Sequence, residues 1–271
     1  MHLVSDPSSS QTEIIDLRAA LDDFYRKTTV YTAFQETSDR TGFYTEALTL
    51  FGSSPRPLSI LELGAGRTGL SAFLRKVGRD DIKVTAQDVT PANLAYLQQE
   101  CHSVHIGDVS ELPTDAFDLV LHSYVLEHVS APREFLENVA RVLKPGGWHA
   151  FLCPRYDVPG YLCPSLRHLS RPGRWAQICR LTASRIVSAI DGRERFLVNC
   201  DPAVLHTSWF RDADAVHIVS RLDLERWHRR NGFSTVRRLK PQAAGGLRGA
   251  ILFKLLTVGL VAQKALPIAG Q

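Results

Sequence analysis

Leu61-Glu62-Leu63-Gly64-Ala65-Gly66-Arg67-Thr68-Gly69-Leu70 is the stretch that decides the fold. It reads G-x-G-x-x-G directly after a short apolar strand pattern (58–63) and at the start of a helical one (70–77). Glycines so placed allow a tight turn, close approach of backbone to a ligand, and close packing of helix on strand. Alone, the pattern suits a dinucleotide as well as other adenosine cofactors.

Working outward, strand and helix patterns alternate. Strands are expected at 82–86, 104–106, 117–122 and 148–153, with helices at 91–100 and 132–143. Lys144-Pro145-Gly146-Gly147 ends the second of these helices. Segments 216–219 and 233–239, separated by a helix at 223–231, return to the sheet. Such alternation predicts an α/β fold, Rossmann-like and doubly wound, with a mostly parallel seven-stranded sheet. Two helices are expected within 13–51 from the spacing of Ile14, Leu17, Leu21, Phe24, Tyr44 and Leu48, after a polar, disordered start at 1–10. The chain divides accordingly into an N-terminal helical cap (1–57), a cofactor-binding core (58–153), an acceptor-side insertion (154–215), the completion of the sheet (216–242) and an apolar C-terminal helix (243–271).

Composition narrows the class. With 44% hydrophobic and 22% charged residues among 271, the chain can bury a real core. A net charge of +4 is too small to argue for nucleic acid. Five cysteines without CxxC or zinc spacing, and no basic-then-apolar leader, point to a reducing, cytoplasmic setting. Charge is concentrated instead. Between 165 and 198 seven arginines face two acids, in and around a basic amphipathic segment at 175–190. The tail at 249–266 is apolar but too short for a membrane span. It reads as a helix packed on the domain or on a partner subunit, as in a homodimer, or as an interfacial helix giving peripheral contact with the inner face of the membrane. In the last case removal of 246–271 would release the protein from the membrane.

Open parallel sheets bind ligands beyond the carboxyl ends of their strands. Asp88 ends the second strand and can accept two ribose hydroxyls; Asp108 follows the third and can accept from an exocyclic amine. His122 ends the fourth. Glu62, two residues before Gly64, repels a pyrophosphate and suits an ammonium or sulfonium. This favours an amino-acid-bearing nucleoside over NAD.

Glu62-x-Gly64-x-Gly66, Asp88, Gly107-Asp108, FDLVLHSYVLEHV (117–129) and LKPGGW (143–148) together resemble the class I S-adenosylmethionine-dependent methyltransferases, and among them the type 11 methyltransferase-domain group. The resemblance covers 58–153 and, more loosely, 216–239. Common members carry glycine one position before Gly69, so Arg67 looks like an insertion in the turn. The resemblance implies S-adenosyl-L-methionine as cofactor. Glu62, Gly64, Ala65 and Gly66 would face its methionine moiety, Asp88 and Val89 its ribose, Asp108 and Val109 its adenine, and His122 the sulfonium edge. Some quinone methyltransferases bind a divalent metal through E-x-x-E-H; here Tyr124 takes the first position before Glu127 and His128, and no metal is expected. His128 is the candidate general base. Arg155 and Tyr156, just after the fifth strand, and His206, in the aromatic run containing Trp209, are the candidate acceptor-side catalytic residues, with Tyr25, Tyr31, Phe34 and Tyr44 from the helical cap.

The implied activity is O- or N-methylation of a small-molecule, saccharide or lipid-linked acceptor. No Asp/Asn-Pro-Pro-Tyr motif for a flipped base follows the fourth strand, which argues against nucleic acid. A protein or nucleic-acid methyltransferase, a non-catalytic cofactor-binding subunit and a nicotinamide oxidoreductase stay as alternatives.

Overall fold

The computed structural model describes residues 3–4, 11–28, 31, 34–37, 40–51, 58–201, 205, 212, 214–239 and 246–267. In chain order its strands are β1 (Leu3–Val4), β2 (Ser59–Leu63), β3 (Lys83–Asp88), β4 (Ser103–Ile106), β5 (Phe117–Ser123), β6 (Leu143–Pro154), β7 (Leu197–Asn199), β8 (His217–Ile218), β9 (Phe233–Arg238) and β10 (Thr257–Lys264). Its α-helices are α1 (Gln11–Lys27), α2 (Thr41–Leu48), α3 (Leu70–Lys76), α4 (Leu94–Glu100), α5 (Pro132–Val142), α6 (Arg171–Asp191), α7 (Arg221–Arg230) and α8 (Gly246–Leu256).

Seven strands form one sheet in the order β4-β3-β2-β5-β6-β10-β9. The first five run parallel, and β10 runs antiparallel between β6 and β9. This is the Rossmann-like, mostly parallel sheet that the alternation predicts. Order reverses between β2 and β5, which opens a crevice at the carboxyl ends of those strands.

Alternate residues of the central strands feed two cores. Leu61, Val120, Phe151 and Leu260 face α5 and α7 through Leu136, Val139, Leu224 and Trp227. Ile60, Leu119, Leu121, Leu152 and Val261 face α2, α3 and α4 through Phe43, Tyr44, Phe73 and Leu97. Both faces are covered, so these strands read as continuous apolar runs.

Three expectations change. The tail is not one helix: α8 ends at Leu256, and the next eight residues are the interior strand β10. Val258, Leu260, Val261 and Ala262 are all buried, and an apolar run buried on both faces cannot be told from a helix by periodicity. Secondly, β8 does not return to the main sheet; it pairs with β7, which pairs with β1, in a small second sheet. Thirdly, Leu3 and Val4, expected to be disordered, pair with Asn199 and Val198. The loop expected at 52–57 lies outside the described residues.

The sheet carries a buried histidine chain. His228 Nδ1 lies 2.7 Å from the Leu224 carbonyl oxygen, His149 Nδ1 2.9 Å from His228 Nε2, and His122 Nε2 3.1 Å from His149 Nε2. The carbonyl only accepts, so each neutral ring must donate to the next in one direction. Phe151 stacks on His122 and His228.

Candidate active site

A cleft of about 1470 Å³ opens where the strand order reverses. It exceeds the roughly 300–1,000 Å³ of a usual ligand pocket, leaving room for a nucleoside cofactor together with an acceptor. Its walls come from the carboxyl ends of β2 to β6, from α1 and the segment after it, and from the start of the insertion.

The glycine loop forms its floor. Gly64 and Gly66 have φ of +56° and +53°, which L side chains rarely adopt. A Cβ on Gly64 would also lie 2.5 Å from the Val125 side chain, because the loops after β2 and β5 face each other across the crevice. Gly69 has an ordinary φ of −98° as the cap before α3, so the third glycine of the motif is not required by backbone conformation. Arg67 sits over the Tyr96 ring at 4.2 Å.

Asp88 holds this loop. Its carboxylate accepts from the Gly66 N–H at 2.8 Å and the Thr90 N–H at 3.1 Å. Burial raises its pKa against those bonds. Gln87 stitches the neighbouring turn: its Oε1 accepts from the Gly64 N–H at 3.2 Å, and its Nε2 donates to the Gly107 carbonyl at 2.6 Å. Asp108 accepts from the Ser110 N–H at 2.8 Å and, with Val89 and Val109, lines the cleft.

Glu62 is buried and accepts from Tyr44 at 3.1 Å and from Thr68. Burial pushes its pKa up to about 7, against those two hydrogen bonds and the charge of Arg40. Arg40 lines the same end of the cleft, 5.0 Å from the Tyr124 ring. Tyr124 has φ of +58°, a strained conformation for a bulky residue, at the tip of β5 beside the glycine loop.

The cleft also borders an acid–imidazole cluster. His128 Nδ1 is 2.9 Å from Asp214, and its Nε2 is 3.3 Å from the Tyr31 hydroxyl. Tyr25 donates to Asp214 at 2.8 Å. Burial opposes a charge on His128, but Asp214, with Glu127 and Asp212, outweighs it and lifts the pKa to about 10. Burial raises Glu127 to about 7, against the charge of His128. Glu127 lines the cleft, and its Oε2 is buried without a hydrogen-bond partner among the described residues. Tyr25, Tyr31 and Phe34 make an aromatic wall through edge and tilted contacts at 6.1 and 5.6 Å.

Of the residues singled out in the sequence, Glu62, Gly64, Ala65, Gly66, Asp88, Val89, Asp108, Val109, His128 and Tyr156 all line the cleft. Two do not. His122 is fully buried in the histidine chain, because strand alternation turns it into the sheet's face rather than off its end. Arg155 is turned away into an ion pair with Asp157. Tyr44 stands behind the cleft, bonded to Glu62. His206 and Trp209 lie outside the described residues. Sequence reasoning missed Arg40, Gln87 and Asp214. Gln87 was traceable as the neighbour of Asp88 at a strand end, and Asp214 closes the aromatic run that drew attention to His206. No pattern marks Arg40.

These buried groups pull stability in opposite directions with pH. Burial holds His122 and His217 at about 3 and His228 at about 4, against an ordinary 6.5. The unfolded chain therefore takes up protons first, and the fold loses about 2 kcal/mol per histidine by about pH 5. Glu62 and Glu127 have folded values raised from 4.5 to about 7, so the folded chain protonates first. Each regains about 2 kcal/mol over the same fall from about pH 7.5. That gain ends near the unfolded value of 4.5, while the histidine loss continues. The three histidines outweigh the two carboxyls, and His149, also pushed down by burial, adds to the loss, so urea midpoints are expected to decline moderately from about pH 7.5 to about 5 and to collapse below about 4.5. A steep decline beginning at neutral pH would contradict the offset.

Residues 61–151 match the family model described as a methyltransferase domain, type 11. The chain is 34% identical over 99 residues to a probable phthiotriol/phenolphthiotriol dimycocerosates methyltransferase of Mycobacterium ulcerans, a match covering 34% of this chain and 38% of that one. It is 32% identical over 110 residues to a ubiquinone biosynthesis O-methyltransferase of Hydrogenovibrio crunogenus, covering 38% of this chain and 46% of the relative. The chain thus spans less than half the length of these curated relatives. Among solved structures, the CurJ carbon methyltransferase superposes with a TM-score of 0.53 at 15% identity, covering 96% of this chain and 68% of that one, and shares the fold.

Proposed function

We propose, on the premise that residues 61–151 form a class I S-adenosylmethionine-dependent methyltransferase domain, that this protein methylates an oxygen or nitrogen of a small-molecule or lipid-type acceptor. The observation that carries the reading is the cleft itself. Its lining brings together the Gly64 and Gly66 backbone, Asp88 and Asp108 on successive strand ends, and the aromatic rings and titratable groups of Tyr25, Tyr31, Phe34, Glu127 and His128. Names of the curated relatives, which refer to a phthiotriol-type lipid and a ubiquinone, support an apolar acceptor. The aromatic wall of Tyr25, Tyr31 and Phe34 suits one.

The residues fit the cofactor. The close approach of the Gly64 loop to Val125 leaves a backbone cradle that a Cβ would fill. Glu62 would hold the ammonium end, Asp88 the ribose hydroxyls, and Asp108 with Val109 the adenine edge. When bound, S-adenosylmethionine supplies an electrophilic methyl group on a sulfonium centre.

The chain then has to orient the acceptor, exclude water and remove a proton. Tyr31, Phe34 and Tyr156 orient it against the glycine loop. Glu127 takes the proton: it lines the cleft, its Oε1 lies 3.8 Å from His128 Nε2, and its buried Oε2 has no hydrogen-bond partner among the described residues. His128 is engaged at both ring nitrogens and carries a proton at neutral pH, so it orders Tyr31 and Asp214 instead of serving as base.

Asp88→Ala tests the cofactor assignment. A hydrogen bond to a charged group contributes about 1.5–3 kcal/mol, and two are lost, so S-adenosylmethionine affinity is expected to fall about 10²-fold or more. Asp88→Asn keeps one acceptor oxygen and should lose less. Calorimetry on both variants decides it; unchanged affinity in Asp88→Ala removes the site. Acceptor identity follows from labelled methyl transfer into lipid, glycan and small-phenol pools, and transfer into none of them would leave the catalytic reading unsupported.

A further inference from the structure

Helix α6 carries an apolar stripe that the fold leaves uncovered. Trp175, Cys179, Ala183, Ile186 and Ile190 recur at helical spacing on its outer face, all exposed, Trp175 at 67% and Ile190 at 81%. Its inner face buries Leu181 and Ser188. The helix is 21 residues, about 30 Å long, started by Ser170, whose side chain accepts from the Gly173 N–H, and stopped by Gly192 in the left-handed conformation. It is a well-capped element whose apolar outer face stays exposed among the described residues.

Charge identifies what covers the stripe. Arg171 and Arg180 are exposed on either side of it, with Arg174 beside Arg171, and the helix has no acid before Asp191, which pairs with Arg195. A second copy would bring guanidinium groups together without carboxylates to meet them. Polar groups that could read a specific protein partner are absent from the stripe. An anionic lipid surface meets both features: it takes tryptophan and branched apolar side chains at the headgroup level and attracts the flanking arginines.

We infer that α6 lies in the surface of an anionic membrane and docks the protein there. At its N-terminal end a second cavity of about 350 Å³ is lined by Arg171, Arg174 and Trp175, with no acidic side chain. It shares Tyr161 and Arg167 with the main cleft. The mouth of the cleft therefore opens beside the docked helix, where an acceptor with an apolar tail leaves the lipid; this last step rests on the methyltransferase reading, whereas the docking does not. The contact is thus assigned to the insertion and not to the C-terminal segment.

The full chain should float with vesicles containing phosphatidylglycerol and far less with phosphatidylcholine alone, and salt should release it. The Trp175→Ser/Ile186→Ser/Ile190→Ser variant alters exposed side chains only. It should retain S-adenosylmethionine binding while its bound fraction falls about tenfold or more. Arg171→Gln/Arg180→Gln should abolish the preference for anionic vesicles. Wild-type protein that floats with neither vesicle, or a triple variant that floats as well as wild type, overturns the inference. So does a wild-type dimer that the triple variant splits without any vesicle binding, which would identify a second copy as the occupant. Flotation without S-adenosylmethionine binding upholds the docking and overturns the catalytic reading instead.

Discussion

A chain ending at Leu256 is expected not to fold. The residues removed include β10, which lies between β6 and β9 and pairs with seven consecutive residues of β6 from Trp148 to Pro154. Val258, Leu260, Val261 and Ala262 all become fully buried in it, on both faces of the sheet. The three larger side chains lose about 1.5–3 kcal/mol each, and Ala262 adds less. The loss also strips β6 of its ladder on one side and detaches β9 from the sheet. Against a total stability of about 5–15 kcal/mol, this removes the cooperative native state. The measurement is near-ultraviolet circular dichroism with urea unfolding. A truncated chain that still unfolds cooperatively would show that β10 is dispensable. Removal of 246–271 therefore cannot serve to test membrane contact, which is why the substitutions on α6 replace it.

Glu127→Gln is expected to lower kcat by about 10²–10⁴-fold, the usual contribution of a positioned general base. The side chain keeps its shape and loses only its proton affinity. S-adenosylmethionine affinity should stay within about twofold, because the hydrogen bonds that hold the glycine loop run to Asp88 and Gln87 and not to Glu127. The pH profile carries the decisive readout. Burial places the Glu127 carboxyl at about 7, so wild-type activity should rise through neutral pH as it ionises, and the variant should lose that limb. His128→Gln tests the competing assignment. With His128 held at about 10 beside Asp214, its loss should disturb acceptor KM more than the neutral limb of the profile. A rising limb that survives in Glu127→Gln and vanishes in His128→Gln would return the base to His128.

Legibility followed from how local each signal was. The loop from Gly64, Asp88 and Asp108 could be placed from sequence because each sits at a strand-to-turn junction, marked by an apolar run that stops. Gly64 and Gly66 needed only the turn itself, which demands positive φ. His122 was misplaced because one residue of register turns a side chain from the end of a strand into its face. The sequence could not weigh His128 against Glu127 as base, since the partners of His128, Tyr31 and Asp214, lie about a hundred residues away on either side.

Local pattern alone therefore determined the parallel core, the glycine cradle and the acids beyond it, because periodicity and turn chemistry are properties of short stretches of chain. Only the tertiary structure decided three things: that the apolar tail is an interior strand, that Glu127 Oε2 is buried without a hydrogen bond while Asp214 and Tyr31 flank His128, and that one face of α6 stays exposed among the described residues. Each depends on which distant surface is already occupied. A side chain's pKa, and an apolar stripe's need for a partner, are set by neighbours that the chain brings together only on folding.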